Sequence, residues 1–388
     1  MVIIMKSCIL AALLHSGVIA SDHLAPRQSG SLLVDVAPDH VRPYVLPRFK
    51  GRAIKLTPSD IIRFAITANS SGGAFSMVQH NGKTSGWTVA RPHTHEHVHE
   101  HFYCQRGRAE LWAQKNVTGA SHEARVATAG DYGSVPPGTI HTFQLVDPDS
   151  QLNHVFHPGG FEHLFDEFSI GDYESVVGSP YVPLAEDPEP FGPLTPAVDA
   201  QLRALDLIAA PAEEYRPRRD MINGTASDAG LSWHDGPNAL PDDPTEPYFV
   251  AHNYGPAYLN TEIGYKVVQP LVTPSQTGGN FTMGTIILSP RLENETATTV
   301  TLPHHFALEL QEGQLVLSVD GSDTASLLQG DVAFVPAETP FSFHATIPFT
   351  KFLYMNGGGE GLDQLVLEKS IPWGFPAYPP YAGFQSGA

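Results

Sequence analysis

Short apolar runs, many of them interleaved with polar residues, follow one another along the chain and are separated by turn residues. Arg108-Ala109-Glu110-Leu111-Trp112-Ala113 and Gln314-Leu315-Val316-Leu317-Ser318-Val319 alternate or nearly alternate, the period of a half-buried strand. Each follows a glycine, Gly107 or Gly313, suited to a tight turn. The Gly-Asp pairs at 130–131 and 330–331 precede Val- and Phe-rich runs, again a turn and then a strand. With 35 glycines and 34 prolines in 388 residues, long helices are excluded and an all-β architecture is predicted. The one helix expected starts at Thr195 as cap with Pro196 in its first position, and Val198, Leu202, Leu205 and Ile208 recur at helical spacing.

The pattern also repeats itself. Pro43-Tyr44-Val45 resembles Pro247-Tyr248-Phe249, and Gly72-Gly73-Ala74-Phe75-Ser76-Met77 resembles Gly278-Gly279-Asn280-Phe281-Thr282-Met283. Gly130-Asp131-Tyr132-Gly133-Ser134-Val135-Pro136 resembles Gly330-Asp331-Val332-Ala333-Phe334-Val335-Pro336. The matches keep their order at a spacing of roughly 200 residues, which predicts two tandem copies of one domain rather than a solenoid of short repeats. The organisation expected is 21–182 for the first copy, 183–235 for a linker rich in proline and acidic residues that carries the helix, and 236–388 for the second copy.

Residues 1–20 read as a signal peptide: Lys6, the apolar run Cys8–Leu14, then Val18-Ile19-Ala20 before a cleavage site. A secreted, extracellular protein is therefore expected. Cleavage would remove Cys8 and leave Cys104 without a partner, so stability must come from packing. Sequons at Asn69, Asn116, Asn223, Asn280 and Asn294 point to glycosylation. The formal net charge of −19 argues against nucleic acid or an anionic membrane as partner.

The 19 histidines almost match the 22 Lys and Arg. Their densest stretch is Pro92-His93-Thr94-His95-Glu96-His97-Val98-His99-Glu100-His101-Phe102-Tyr103-Cys104. On one continuous strand the five histidines would share a face. A bend between His95 and Glu100 changes the parity and lets His93, His95 and Glu100 converge from two adjacent strands. The spacing His93-x-His95-x4-Glu100-x6-Gly107 resembles the first motif of the cupin superfamily, and Gly130-x5-Pro136-x-Gly138-x2-His141 resembles the second. The resemblance implies two tandem cupin (jelly-roll) β-barrels and a metal site of His93, His95, Glu100 and His141. Imidazole suits copper, iron, nickel or zinc, and a carboxylate adds affinity for manganese or iron. His97, His99, His101 and Glu96 are expected to be loop or supporting groups, not ligands. In the second copy the equivalent positions are Thr299, Thr301, Phe306 and Phe341, so that barrel is expected to bind no metal.

Beyond these motifs, Ala37-Pro38-Asp39-His40-Val41-Arg42-Pro43-Tyr44-Val45, Phe102-Tyr103-Cys104, Leu111-Trp112-Ala113-Gln114, His141-Thr142-Phe143-Gln144, Asn223-Gly224-Thr225-Ala226 and Gly361-Leu362-Asp363-Gln364 resemble the fungal quercetin 2,3-dioxygenases, copper-dependent bicupins. The resemblance implies copper as cofactor, a flavonol or related phenolic and dioxygen as substrates, and ring cleavage with release of carbon monoxide. It implies Glu100 as both ligand and general base toward the flavonol 3-hydroxyl. Phe102 and Phe143 match pocket aromatics that stack on a flat polyphenol, although barrel-core packing accounts for them equally well. Ile62 stands where a pocket tyrosine is expected, His80 replaces a smaller residue, and His101 follows the glutamate where Asn is frequent, departures that bear on the substrate. The competing readings are a manganese-dependent oxalate decarboxylase or oxidase, a cupin modifying a secondary metabolite, and a non-catalytic cupin. Nothing in the pattern sets an oligomeric state.

Overall fold

A computed structural model describes residues 30–82, 88–180, 190–211, 215–291, 295–374 and 378–379. The segment read as a signal peptide, the acidic stretch Glu186-Asp187-Pro188-Glu189 and the sequon at Asn294 lie outside the described residues.

Two β-barrels follow one another. The first joins an eight-stranded and a six-stranded sheet. The larger runs, in spatial order, Gly171–Asp172, Ala53–Lys55, Ile61–Ile66, Ser76–Gly82, Ser150–His157, His99–Arg106, Tyr132–Val135 and Tyr248–Val250. The smaller runs Ile208–Ala209, His93–Thr94, Thr139–Leu145, Ala109–Lys115, His122–Ala127 and Thr225–Ala226. The second barrel has its own eight-stranded sheet, centred on Phe306–Glu312, Thr350–Asn356 and Thr282–Leu288, and a three-stranded sheet of Ala325–Leu327, Leu315–Val319 and Phe341–Ala345. Short helices Ala68–Ser71 and Pro274–Thr277 occupy matching places. Each is capped by a threonine, Thr67 or Thr273, and closed by a glycine at positive φ, Gly72 at 63° and Gly278 at 61°. The duplicated Gly-Gly motif is this pair of helix ends.

The two copies exchange strands. Tyr44–Leu46 pairs with Val332–Val335 in the second barrel, Tyr44 opposite Phe334. Tyr248–Val250 pairs with Tyr132–Val135 in the first, Tyr248 opposite Ser134. Each large sheet thus ends on a strand lent by the other half, and the duplicated Pro-Tyr motif is that lent strand. Between the large sheets lies a shared core that includes Phe75, Met77, Tyr103 and Val155 from one copy and Phe281 and Met355 from the other. Phe75 and Phe281, equivalent positions of the repeat, meet with ring centroids 5.7 Å apart. Each such ring contributes about 1.5–3 kcal/mol by burial.

This packing explains which strands show alternation. Ser76–Gly82 and Thr282–Leu288 are buried throughout, one face in the barrel and the other against the neighbouring copy. Leu315–Val319, in the small sheet, alternates between buried and half-buried.

The linker helix spans Pro196–Ala204, with Thr195 Oγ1 accepting from the Val198 amide at 3.3 Å and Leu202 packed among Leu164, Phe165 and Leu207. Its apolar stripe does not extend to Ile208 as expected. Asp206 adopts φ 63° and ends the helical course, and Ile208–Ala209 becomes a strand paired with His93–Thr94.

Candidate metal centre

The strand His93–Thr94 lies beside Thr139–Leu145, with His141 directly opposite His93. Glu100 belongs to the larger sheet. The bend after His95 is present, but the two strands it joins are not neighbours. They sit in the two sheets of the barrel, so convergence happens across its interior. Asp206 shapes that bend from the linker. Its carboxylate accepts from the amides of Glu96 at 2.8 Å, His97 at 3.1 Å and Val98 at 3.0 Å, and its carbonyl oxygen lies 2.6 Å from His95 Nδ1. Burial pushes the Asp206 carboxyl up, and the three amides outweigh it and hold it below its ordinary range.

His93, His95, Glu100 and His141 are all buried, and one donor atom from each lies within 4.8 Å of the others. The rings are oriented alike. His93 Nδ1 is 2.8 Å from the Arg91 carbonyl and His141 Nδ1 is 3.0 Å from the Thr139 carbonyl, matching His95 on Asp206. A carbonyl can only accept, so each Nδ1 carries the proton and a neutral ring has its lone pair on Nε2. Two of those nitrogens, His95 and His141 Nε2, lie 3.2 and 3.0 Å from Glu100 Oε2. Lone pairs that face a carboxylate oxygen across such distances require a cation between them, and neutral nitrogens with one carboxylate form the donor set a borderline divalent metal takes at about 2.0–2.2 Å. Burial, with His141 and His95 adding to it, holds the His93 ring far below its ordinary pKa, in the neutral form.

His154 was not found from the sequence. Its Nδ1 lies 2.7 Å from Glu100 Oε1, the oxygen opposite the one facing His95 and His141. It carries no motif and is recognisable only as an inward position of Ser150–His157, opposite Phe102 in the paired strands. Burial raises the Glu100 carboxyl, and the hydrogen bond from His154 Nδ1 opposes it. Burial lowers the His154 ring from its ordinary pKa by more than its contact with Glu100 raises it.

A small apolar cavity, about 20 Å³, adjoins His93 and Glu100, walled by Leu56, Val89, Phe143, Phe161 and, from the linker side, Phe191 and Leu207. Phe143 and His80 face it, whereas Phe102 is packed behind, against His154 at 5.0 Å and Phe143 at 5.5 Å between ring centroids. Ile62 is fully buried in the cluster with Leu56 and Phe64. His80 Nε2 lies 3.6 Å from Asp60 Oδ1, and neither ring nitrogen of His80 has a hydrogen-bond partner. Glu96 and His97 are exposed on the bend. His99 and His101 project from the opposite face of their strand, away from Glu100.

In the second barrel, Phe306 and Phe341 stand at the positions equivalent to Glu100 and His141, with rings stacked at 5.3 Å. Val300, one residue from the expected Thr299, faces Phe341. A larger cavity of about 310 Å³ opens in this barrel, lined by Lys266, Arg291, Phe343 and Leu362. Among the described residues, the two groups of three or more metal donors both lie in the first barrel.

The chain is 36% identical over 353 residues to quercetin 2,3-dioxygenase of Aspergillus japonicus, covering 90% of this chain and 99% of that one. It belongs to the quercetin 2,3-dioxygenase family. The protein is accordingly a dioxygenase with two cupin barrels. A second quercetin 2,3-dioxygenase, from Bacillus subtilis, is 30% identical over 141 residues, 36% of this chain and 38% of that one. No family model matches the chain. Among solved structures, oxalate decarboxylase from Lactobacillus farciminis aligns over 84% of this chain and 87% of that one, with a TM-score of 0.47 and 13% identity. A single-site variant of oxalate decarboxylase from Bacillus subtilis aligns over 84% and 79%, with a TM-score of 0.49 and 16% identity.

Proposed function

We propose that this dioxygenase is secreted, takes a flavonol such as quercetin together with dioxygen, opens the heterocyclic ring and releases carbon monoxide. His93, His95, His141 and Glu100 would hold copper. The observation that carries the reading is the meeting of these four buried donors beneath an apolar cavity. When bound, copper supplies a Lewis-acidic position for the flavonol oxygen and a route for electron density between substrate and dioxygen.

The side chains do the rest. Glu100 takes the 3-hydroxyl proton on Oε2 and returns it as a hydrogen bond to the substrate oxygen. The His154 contact to Oε1 keeps the carboxylate plane fixed while this happens. Phe143 and the aliphatic wall suit a flat aromatic ligand. His80, whose Nδ1 has no hydrogen-bond partner, can meet a phenolic hydroxyl. Exposed sequons at Asn69, Asn116, Asn223 and Asn280 support a glycosylated extracellular protein.

Turnover of matched compounds tests the reading. A flavonol is expected to be cleaved, and the flavone lacking its 3-hydroxyl is expected to be left intact. Equal cleavage of both would remove the proton-transfer role of Glu100.

A further inference from the structure

The strand that presents Glu100 to the barrel interior presents His99 and His101 to the seam between the two copies. Val155 lies opposite His101 and His157 opposite His99 across the paired strands, so the three imidazoles share one patch of the outer face. One ring nitrogen from each lies within 4.8 Å of the other two. His99 and His101 are almost completely buried, and His157 is half-buried.

Their surroundings are those of oriented ligands. His99 Nε2 is bonded to Ser134 Oγ at 2.8 Å, and His101 Nδ1 to the Tyr132 hydroxyl at 2.7 Å. These contacts fix both rings and leave the remaining nitrogen of each for another partner. His101 Nε2 and His157 Nδ1 are buried with no hydrogen-bond partner. Apolar side chains of the shared core, among them Phe75, Tyr103 and Val155, lie nearby. Phe281, from the second copy, stacks on both His101 and His157, at 5.1 and 5.2 Å between ring centroids. Orphaned ring nitrogens in such a place cost stability unless something occupies them.

We propose that His99, His101 and His157 form a second metal site, distinct from the one at Glu100, that takes a borderline divalent cation such as zinc or copper at the seam between the barrels. Three neutral imidazoles are a preferred donor set for such ions, and a tetrahedral ion would keep one position for solvent. The site is built entirely from first-copy residues and covered by Phe281 of the second. Its occupancy does not depend on the dioxygenase reading, because it uses none of the residues that face the cavity.

Metal counting tests it. The triple variant His93→Ala/His95→Ala/His141→Ala is loaded with Zn²⁺, freed of unbound metal and analysed for zinc beside the unaltered chain. About one zinc per chain is expected in the variant and two in the unaltered chain. Adding either His157→Gln or His101→Asn to the triple variant is expected to lose the remaining equivalent. Cu²⁺ bound to the triple variant needs no change in the cluster itself, and its paramagnetic resonance is expected to show coupling to three imidazole nitrogens. A triple variant that retains no metal overturns the proposal. So does metal that is indifferent to both substitutions, or copper coupled to fewer than two imidazoles.

Discussion

His154 Nδ1 lies 2.7 Å from Glu100 Oε1, on the side of the carboxylate turned away from His95 and His141. One oxygen of Glu100 is thus held by a neutral donor while the other faces the histidine set. Replacing His154 by Phe keeps the apolar packing against Phe102 and Phe143 and leaves Oε1 unpaired. Turnover is expected to fall about 10–100-fold, the usual cost of losing a partner that orients a ligand. Steady-state oxygen uptake, with metal content measured on the same sample, checks this.

Glu100→Gln removes the base and keeps the shape. Turnover is expected to fall by about 10²–10⁴-fold, while His93, His95 and His141 retain metal at reduced affinity. Unchanged turnover in a metal-loaded variant would remove Glu100 from the chemistry.

Asp206 connects the linker to the centre. Asp206→Ala leaves the amides of Glu96, His97 and Val98 without their acceptor and puts alanine at φ 63°. The expected result is a loss of about 1–3 kcal/mol in unfolding free energy and weaker metal binding. Asn at this position tolerates the left-handed backbone and can still accept, so Asp206→Asn is expected to recover most of both. Denaturant unfolding and metal competition read the two effects.

Much of the centre was legible in the sequence because two short motifs carry it. His93, His95, Glu100 and His141 lie within about 50 residues, and turn glycines mark their register. The duplication was legible too, and the structure gives its pieces physical meaning as paired helix caps and exchanged strands. His154 and Asp206 were not legible, since each acts through a partner brought near only by strand pairing or by the docked linker. The same holds for the His99, His101 and His157 cluster. Its residues were visible, but their shared face depends on a strand pairing that no local pattern encodes. The large sheets hid their own period, because burial on both faces removes the alternation that exposes a strand.

The seam between barrels should respond to pH through Glu309. This carboxyl of the second copy accepts from Gln79 at 2.8 Å and from Asn153, both of the first, and from Gln311 at 2.8 Å. Burial raises it from 4.5 to about 7, more than these amides lower it. The folded state therefore binds this proton more tightly than the unfolded chain. The stability gained is complete below about pH 4.5 and is lost as pH rises through about 7. Glu309→Gln is expected to flatten that slope, a relative change on the order of 3 kcal/mol across the window. Unfolding free energies of both proteins between these pH values measure it.

In the second barrel, the stacked Phe306 and Phe341 do the work of packing where the first barrel has ligands. Phe306→Ala is expected to cost about 3–5 kcal/mol in stability and to leave the metal count per chain unchanged. Chemical denaturation and elemental analysis of the folded protein test both halves of that statement.

The proposed reaction is ring-cleaving dioxygenation of a flavonol at the His93, His95, Glu100 and His141 centre. Its most direct test is to follow oxygen consumed and carbon monoxide released together while copper-loaded protein turns over quercetin. One of each is expected for every quercetin lost. Quercetin that binds without oxygen uptake, or oxygen uptake without carbon monoxide, would contradict it.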